Sequence, residues 1–278
     1  MRILFSLLFV ALLSACSGGG GGGSSSPVYK TNSSTGMSVS VAYAGAVLGT
    51  PTPIAAGATY TETVNDSNII QSASFVASNG NTASFNRANG DSIVTAAPGV
   101  NGFSNATQSA LTADATYLGW SYQSFGVWAN GNTNGQISAG TAGTSTSGAS
   151  IPTSGTATYT GIAAGIFGNA TASYFVTSNM TASTNFGTRN IAFSTTNSAA
   201  STTVNGTYVS TGGLNLTGNL SYAAGVNNFS GTVNSSGSTV MTGSAGGQFY
   251  GPGAQEIGGV FAVKNGNIGY IGGFGGKR

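Results

Sequence analysis

The sequence contains no histidine, and Cys16 is its only cysteine among 278 residues. Without histidine the chain lacks the most common general base, the Ser-His-Asp triad and imidazole metal ligands. A single cysteine also excludes any disulfide within the chain. These two absences remove most of the arrangements that hydrolases and metalloenzymes use.

Carboxylates are also scarce, and the whole sequence has five: Glu62, Asp66, Asp91, Asp114 and Glu256. They do not alternate as a calcium loop requires, and a glycosidase pair would have to be assembled from distant positions. We therefore predict that the protein is not an enzyme and holds no metal. We expect no cofactor either, although haem ligated by one of the 11 tyrosines stays open.

Charged residues make up only 4% of the chain, and the formal net charge is +2. No basic stripe is present that could follow a phosphate backbone, so nucleic acid is not an expected partner. The chain does contain 14 Phe, 11 Tyr and 2 Trp, enough to build a core despite its 46 glycines. The composition therefore predicts a folded, weakly charged protein.

The N terminus has the pattern of a bacterial lipoprotein signal. Residues 1–15 begin with a positive n-region and continue into an apolar run about half as long as a membrane-spanning helix. Two small residues precede Cys16, as signal peptidase cleavage requires. We predict cleavage before Cys16 and acylation of its thiol, which would anchor the protein to a membrane. An ordinary secretory signal with an incidental cysteine is the alternative.

Residues 16–30 are predicted to form the lipidated cysteine and a flexible Gly/Ser tether. A phosphate-binding loop is the alternative, but the Lys-Ser/Thr pair and the helix that such a loop needs do not follow. Ser17, rather than aspartate, comes after the cysteine. In a Gram-negative host this favours the outer membrane, so we predict a lipid-anchored outer-membrane protein.

From residue 31 onward the sequence predicts an all-β fold. No segment keeps a 3.6-residue apolar period, whereas short runs of Val, Ile, Phe, Tyr and Thr are broken by Gly and by Asn-Gly pairs typical of tight turns. Residues 136–153 are nearly all Gly, Ser, Thr and Ala. We interpret them as a linker between an N-terminal β domain (31–135) and a C-terminal β domain (154–278). A long loop within one domain is the alternative.

The last two strands are predicted to pair across a two-residue turn at Asn265-Gly266. This register matches apolar residues to apolar residues and glycine to glycine on one face. The expected partners are Val263 and Ile268, Phe261 and Tyr270, Gly259 and Gly272, and Ile257 and Phe274. The paired glycines would let the sheet bend as a closing barrel requires.

Residues 247–261 fit the pattern Gly-x-Phe-Tyr-Gly-Pro-x-Ala-x-Glu-x-Gly-Gly-x-Phe at every fixed position. This segment resembles the barrel motif of the transferrin-binding protein B lipoproteins. Its candidate structural residues are Phe249, Tyr250, Gly251, Pro252, Glu256, Gly258 and Gly259. We expect the Gly-Pro step to turn the chain, the paired glycines to permit close strand approach, and Glu256 to cap backbone amides or to pair with a nearby donor.

The resemblance implies an eight-stranded antiparallel C-terminal β-barrel preceded by a smaller β-sheet handle domain. It also implies a surface lipoprotein, exported in some species through a dedicated outer-membrane translocon of the Slam type. Members of this family and related proteins bind transferrin, haemoglobin, complement factor H or haem. The binding loops that distinguish them have no recognisable counterpart in this sequence.

Trp120, Tyr122, Phe125 and Trp128 form the densest aromatic cluster in the sequence. One interpretation places them in the core of the handle domain and at its junction with the barrel. The other makes one or two of them exposed anchors for a partner, since Trp and Tyr dominate interface hot spots. We keep them as candidate binding residues.

The function predicted from the sequence is noncatalytic binding of a host or environmental macromolecule, or of an iron source, at the cell surface. An adhesin or structural coat lipoprotein with no defined small ligand is the alternative. A barrel that itself spans the outer membrane is disfavoured, because the chain has a lipoprotein signal and ends in Lys277-Arg278 rather than in an aromatic residue.

Overall fold

The computed structural model describes residues 28–131 and 134–278, with side chains from residue 36 onward. The predicted signal peptide, Cys16 and residues 17–27 of the tether lie outside the described residues. The described chain consists of strands and of short 3-10 helices at Arg87–Asn89, Gly148–Ser150 and Gly212–Leu214. None of the helices in this part is long and apolar enough to cross a membrane.

The N-terminal half forms one antiparallel sheet of ten strands. They are β1 (Val28–Ala44), β2 (Val47–Leu48), β3 (Ala55–Val64), β4 (Ile70–Val76), β5 (Thr82–Asn86), β6 (Ser92–Ala97), β7 (Val100–Ser104), β8 (Gln108–Ala113), β9 (Gln123–Asn130) and β10 (Asn134–Gly143). Their order is β5-β4-β3-β1-β10-β9-β8-β7-β6, with β2 paired to β1. The sheet curls around a core that includes stacked Phe75 and Trp128, and it is nearly closed.

The C-terminal half forms the second antiparallel sheet. Its strands are β11 (Thr156–Gly168), β12 (Ser173–Asn185), β13 (Asn190–Ser201), β14 (Val209–Ser210), β15 (Leu216–Tyr222), β16 (Asn228–Ser235), β17 (Thr242–Tyr250), β18 (Glu256–Asn265) and β19 (Ile268–Lys277). The order is β12-β11-β19-β18-β17-β16-β15-β13-β14, and β12 also pairs with β13. This additional pairing closes eight strands into a barrel, so the predicted all-β fold with an eight-stranded antiparallel barrel is confirmed.

Aromatic and aliphatic side chains fill the barrel. Every second residue of each strand points inward, as strand geometry requires, and the inward set includes Tyr159, Phe193, Phe249 and Phe274. Their rings pack edge to face or tilted, with centroids 4.6 Å apart for Phe193 and Phe274. The barrel is therefore a packed support rather than a channel.

The last hairpin forms with a register two residues away from the predicted one. Asn265 pairs with Ile268, so the turn is Gly266-Asn267, and Gly266 has a left-handed φ of 56°. The rings of Phe261 and Phe274 now each lie opposite a glycine instead of another large residue. The observed partners are Val263 and Tyr270, Phe261 and Gly272, Gly259 and Phe274, and Ile257 and Gly276. A ring that covers a glycine fills the space that two facing rings would crowd.

The predicted linker at 136–153 is shorter in the structure, because residues 136–143 belong to β10. This strand pairs with β1 on one side and with β9 on the other. Its small residues are required by packing, since a Cβ at Gly140 would lie 2.9 Å from Ala58 and 3.2 Å from the Trp128 ring. The N-terminal sheet also begins at Val28 rather than at 31, and its ten strands outnumber the nine of the C-terminal sheet.

The two sheets share an apolar interface. Strands β18 and β19 are buried on both faces, because their inner face lines the barrel and their outer face packs on β1, β9 and β10. The shared core contains Val39, Phe125, Val260 and Ile271, each at most 1% exposed. The sheets are therefore joined through a continuous hydrophobic core.

Candidate functional site

The 247–261 motif builds the junction between the two sheets. Glu256, at the start of β18, is 3% exposed. One carboxylate oxygen accepts a hydrogen bond from the backbone amide of Ser121 at 2.6 Å, and the other accepts one from the amide of Tyr122 at 3.0 Å. The carboxylate thus caps two amides of the N-terminal half from the barrel, and it has no arrangement suited to proton transfer.

The turn between β17 and β18 is fixed by the same motif. Gly251 has a left-handed φ of 83°, and its carbonyl accepts a hydrogen bond from the Thr146 hydroxyl at 2.6 Å. Pro252 follows it in the turn. The Tyr159 hydroxyl, from inside the barrel, donates to the Ala254 carbonyl at 2.6 Å. These bonds hold the turn against the barrel end.

The remaining motif residues are also packed. Phe249 and Tyr250 are fully buried, and the Tyr250 hydroxyl bonds to the Thr141 hydroxyl at 2.8 Å. Gly258 lies under the Gln123 amide, and Gly259 lies under the Phe274 ring. All of these contacts are structural, so they make the junction rigid.

The aromatic cluster lies in the core. Phe125 is fully buried, Trp128 is 1% exposed and Trp120 is 7% exposed. A buried ring has no surface to offer a macromolecule, so these three are packing residues rather than exposed anchors. Tyr122 is half-buried at the junction, where its ring lies over Gly251.

One side of the molecule collects turns from both sheets. They are the turns at residues 45–46, 105–107, 131 and 169–172, together with the segment 202–215 that contains β14. We call this side the cleft edge. The Ala170 amide donates to the Ala46 carbonyl at 3.4 Å across the two sheets. The barrel turns and the N-terminal turns therefore form one continuous surface.

The first cleft on this edge lies at the mouth of the barrel and has a volume of about 510 Å³. We call it the mouth cleft. Two aromatic side chains, Phe167 and Tyr174, line it together with Val209 and Leu214. The other lining residues are small and polar: Asn169, Ala200, Ser201, Thr202, Thr203, Gly206, Thr207, Ser210 and Thr211.

A second cleft, of about 310 Å³, lies between the two sheets on the same edge. Tyr43 and Gln108 line it from the N-terminal sheet, and Ile166, Ser173 and Phe175 line it from the barrel. The hairpin of β11 and β12 separates the two clefts. Alternate residues of this hairpin face opposite sides, so neighbouring residues line different clefts.

Charge is absent from both of these clefts. Glu62, Arg87 and Asp114 gather instead at a smaller cleft of about 220 Å³ beside the open side of the N-terminal sheet. Among the described residues no group of acidic or sulfur ligands could hold a metal ion. The cleft edge is therefore suited to a ligand that is recognised by shape and by neutral hydrogen bonds.

Tyrosines are the titratable groups with the clearest shifts. Burial raises the pKa of Tyr159, Tyr250 and Tyr270 above the ordinary value for a phenol, and burial raises the pKa of Tyr208 to about 12. These hydroxyls stay protonated at neutral pH.

The fold and the junction together define a lobe made of a curled β-sheet and a closed eight-stranded barrel. Residues 151–278 match the family model of the C-lobe and N-lobe β-barrels of transferrin-binding protein B. This match confirms the resemblance of the 247–261 motif to the transferrin-binding protein B barrels. Among curated proteins, none matches the sequence.

Several solved structures are similar. A transferrin-binding protein B mutant from Haemophilus parasuis matches 79% of this chain and 51% of its own, at 19% identity and a TM-score of 0.48. The isotype 1 protein from Neisseria meningitidis matches 81% and 44%, at 17% identity and a TM-score of 0.49. A structure described as a surface lipoprotein matches 87% and 98%, at 13% identity and a TM-score of 0.41. The chain spans about half the length of the two transferrin-binding proteins.

The residues that line the two clefts were not singled out from the sequence. They come from turns and strand ends that are far apart in the chain, and most of them are Ser, Thr, Gly or Asn, which are common everywhere in this protein. One signal in the sequence could have indicated the first cleft: Phe167 and Tyr174 flank the short 169–172 turn and are therefore placed opposite each other.

Proposed function

We propose that the protein is a lipid-anchored outer-membrane protein that binds a macromolecule at the cell surface without catalysis. The cleft edge would be the binding side. The two packed sheets would act as a rigid support that presents the turns of this edge. The ligand would be a host or environmental protein, or an iron source carried by one.

The course of strand β1 is the observation that carries the proposal. The described chain enters at Val28, and β1 ends at Ala44, next to the 45–46 turn of the cleft edge. An extended strand of 17 residues spans about 55 Å. A membrane anchor at Cys16 would therefore lie at the far end of β1 from the two clefts, which would face away from the membrane.

The interior of the protein supports binding rather than catalysis. Both sheets have packed cores, and the buried carboxylate Glu256 is engaged with two backbone amides. The two clefts of the cleft edge are lined by no charged side chain that could act as a general acid or base. A ligand on the cleft edge would be held by shape complementarity and by hydrogen bonds to uncharged groups.

The family of the barrel suggests the partner class. Transferrin-binding protein B binds transferrin, as its name says, so host iron carriers are the first candidates. This chain corresponds in length to about half of such a protein. Transferrin itself is therefore a candidate to test, alongside haemoglobin and haem. An outer-membrane translocon would be a transient partner during export.

The anchor and the exposure are tested together on intact cells. Metabolic labelling with a clickable palmitate should tag the protein, and Cys16→Ser should abolish the tag. Protease added to intact cells should degrade the wild-type protein. Labelling that survives Cys16→Ser would contradict the anchor, and degradation only after lysis would contradict surface exposure.

Binding is tested with the full chain purified in detergent. Pull-down from serum, with transferrin and haemoglobin added separately, should recover a protein ligand, and haem titration runs in parallel. Substitutions at the cleft edge should reduce recovery, whereas Ala224→Ser, in an exposed turn of the barrel, should not. Exposure without binding of any of these probes would favour the adhesin or coat alternative.

A further inference from the structure

We propose that the mouth cleft binds a neutral sugar unit, such as the terminal part of an uncharged glycan. The inference deepens the proposed function, since it names the chemistry that one cleft of the binding edge takes. It depends on four features of the cleft: an aromatic platform, a ring of hydroxyls, a fixed wall and the absence of charge.

The platform consists of Phe167 and Tyr174. These residues are direct partners across β11 and β12, and their ring centroids lie 6.1 Å apart with an interplanar angle of 31°. Both side chains are half-buried, and both line the cleft. An aromatic face carries partial negative charge, which attracts the weakly positive C–H groups on one face of a sugar ring.

Hydroxyl groups surround the platform. Besides Tyr174, six of the lining residues carry one: Ser201, Thr202, Thr203, Thr207, Ser210 and Thr211. A hydroxyl both donates and accepts hydrogen bonds, as a sugar hydroxyl does. Asn169 also lines the cleft, and its Oδ1 accepts hydrogen bonds from the Thr171 and Ala172 amides, which fix the turn. Apolar contact on one side and hydroxyls on the other match the two-sided chemistry of a pyranose.

The wall that carries these hydroxyls is held in place. Strand β14 pairs with the end of β13 through Ala199 with Ser210 and through Ala200 with Val209. The Thr211 amide donates to the Ser198 carbonyl at 2.7 Å. In the same segment Val204 is 4% exposed and packs against Gly102 of the N-terminal sheet. The cleft is therefore preformed, as small-ligand sites usually are.

Selectivity for neutral glycans follows from the lining. It includes no Lys, Arg, Asp or Glu, so it offers no charged partner for a sialic acid, a sulfate or an amino sugar cation. A charged group entering the cleft would lose hydration without compensation. The volume of about 510 Å³ lies within the range of small-ligand sites.

The test uses the full chain, purified in detergent, on an array of neutral, sialylated and sulfated oligosaccharides. We expect binding to neutral glycans, and the strongest one is then titrated by calorimetry. Tyr174→Ala should weaken its affinity about tenfold or more, since it removes half of the platform. Ser210→Ala and Thr207→Val should each weaken it about threefold. Val226→Ala, at an exposed turn elsewhere on the barrel, is the matched control and should change nothing.

Thermal unfolding shows whether each variant is folded, and the two hydroxyl variants remain informative if Tyr174→Ala is destabilised. Three results would overturn the inference: no glycan binding, a preference for sialylated or sulfated glycans, or neutral binding that ignores all three substitutions. Protein-ligand capture that persists without glycan binding would reject this inference alone. Loss of both would reject the proposed function as well.

Discussion

The two sheets of this protein are closed by different means. In the barrel, backbone pairing between β12 and β13 runs from Phe175 with Ser201 to Asn185 with Asn190. In the N-terminal sheet, the end strands β5 and β6 do not pair with each other within the described residues. Side chains bridge that gap instead. The comparison teaches that a curled sheet can be sealed either by its ladder or by a few polar side chains.

The side-chain closure can be described bond by bond. The Arg87 guanidinium donates to the Ile70 carbonyl at 2.7 Å and to the Ile93 carbonyl at 2.6 Å, and so joins β4 to β6. The free edge of β5 is covered by amide side chains. Asn130 donates to the Thr82 carbonyl at 3.0 Å, and Gln108 accepts from the Ser84 amide at 3.1 Å. These bonds lie near solvent and each contributes little.

Alkaline pH should have the largest effect, and it should act mainly on the barrel. In the folded state, burial raises the pKa of Tyr159, Tyr208, Tyr250 and Tyr270 in the C-terminal half, and it raises that of Tyr60 in the N-terminal sheet. Above pH 10 the unfolded chain releases these protons while the folded chain keeps them, so stability falls as pH rises. Five such groups cost roughly 7 kcal/mol per pH unit above pH 10. Denaturant unfolding between pH 8 and 11.5 measures this slope.

Tyr270→Phe should reduce the alkaline slope by about a fifth, because it removes one of the five groups. Tyr117→Phe, whose side chain is 68% exposed, is the control. Trp120 and Trp128 both belong to the N-terminal half, so their fluorescence reports on that sheet. We expect the barrel to unfold first as the pH rises. A change in tryptophan fluorescence that precedes the loss of overall β-structure would contradict this order.

Glu256→Ala should have the next largest effect, because it removes the joint between the sheets. The amides of Ser121 and Tyr122 would lose their charged acceptor, and Glu256 would leave a gap in the junction, at a cost of about 3 kcal/mol. Asp66→Ala, at an exposed turn, is the matched control and should stay within about 0.5 kcal/mol. If the wild-type protein unfolds in one cooperative transition and Glu256→Ala unfolds in two, the two sheets differ in stability once the carboxylate is removed. An unchanged stability would show that the junction does not need the carboxylate.

Gly272→Ala tests the ring-over-glycine packing of the last hairpin. A Cβ at this position would lie 2.6 Å from the Phe261 ring, so the barrel would be overpacked by about 1–3 kcal/mol. Gly212→Ala, with its nearest neighbour at 3.8 Å, should be close to neutral. Equal stabilities for the two variants would support the predicted glycine-to-glycine register over the observed one.

Arg87→Ala should have the smallest effect and should be confined to the N-terminal sheet. Two hydrogen bonds from an exposed side chain are worth about 1 kcal/mol together. Arg189→Ala, at an exposed turn of the barrel, serves as the control. Hydrogen exchange should become faster for the amides of β5 and β6 and stay the same for β12 and β13. Faster exchange of the β12 and β13 amides in Arg87→Ala would contradict the view that the two sheets are closed independently.

The barrel was predictable because its signals are local. The 247–261 motif and the alternation along each strand identify closed β-structure without knowledge of distant contacts. The hairpin register was off by two, because matching like with like ignores the space that a ring such as Phe274 needs. The best partner for such a ring is the glycine at 259. Packing geometry, rather than pairwise similarity, decides such a register.

The N-terminal half was less predictable because its signals are not local. Strand β10 has the composition of a linker, and only its position against Ala58 and Trp128 explains the small residue at Gly140. The partners of Glu256 lie 134 and 135 positions earlier in the chain. The two clefts are likewise assembled from turns that meet only after folding. No pattern in the sequence brings such positions together.

The central claim, that the cleft edge is the exposed binding side, can be tested with single cysteines. Cys16 is the only native cysteine and would be acylated, so Thr171→Cys on the cleft edge and Ala224→Cys on an exposed turn outside it would each be the one free thiol. Intact cells are treated with a membrane-impermeant maleimide, with and without prior incubation in serum. We predict that both sites label and that serum protects position 171 only. Labelling that requires permeabilised cells, or equal protection of the two sites, would contradict the account.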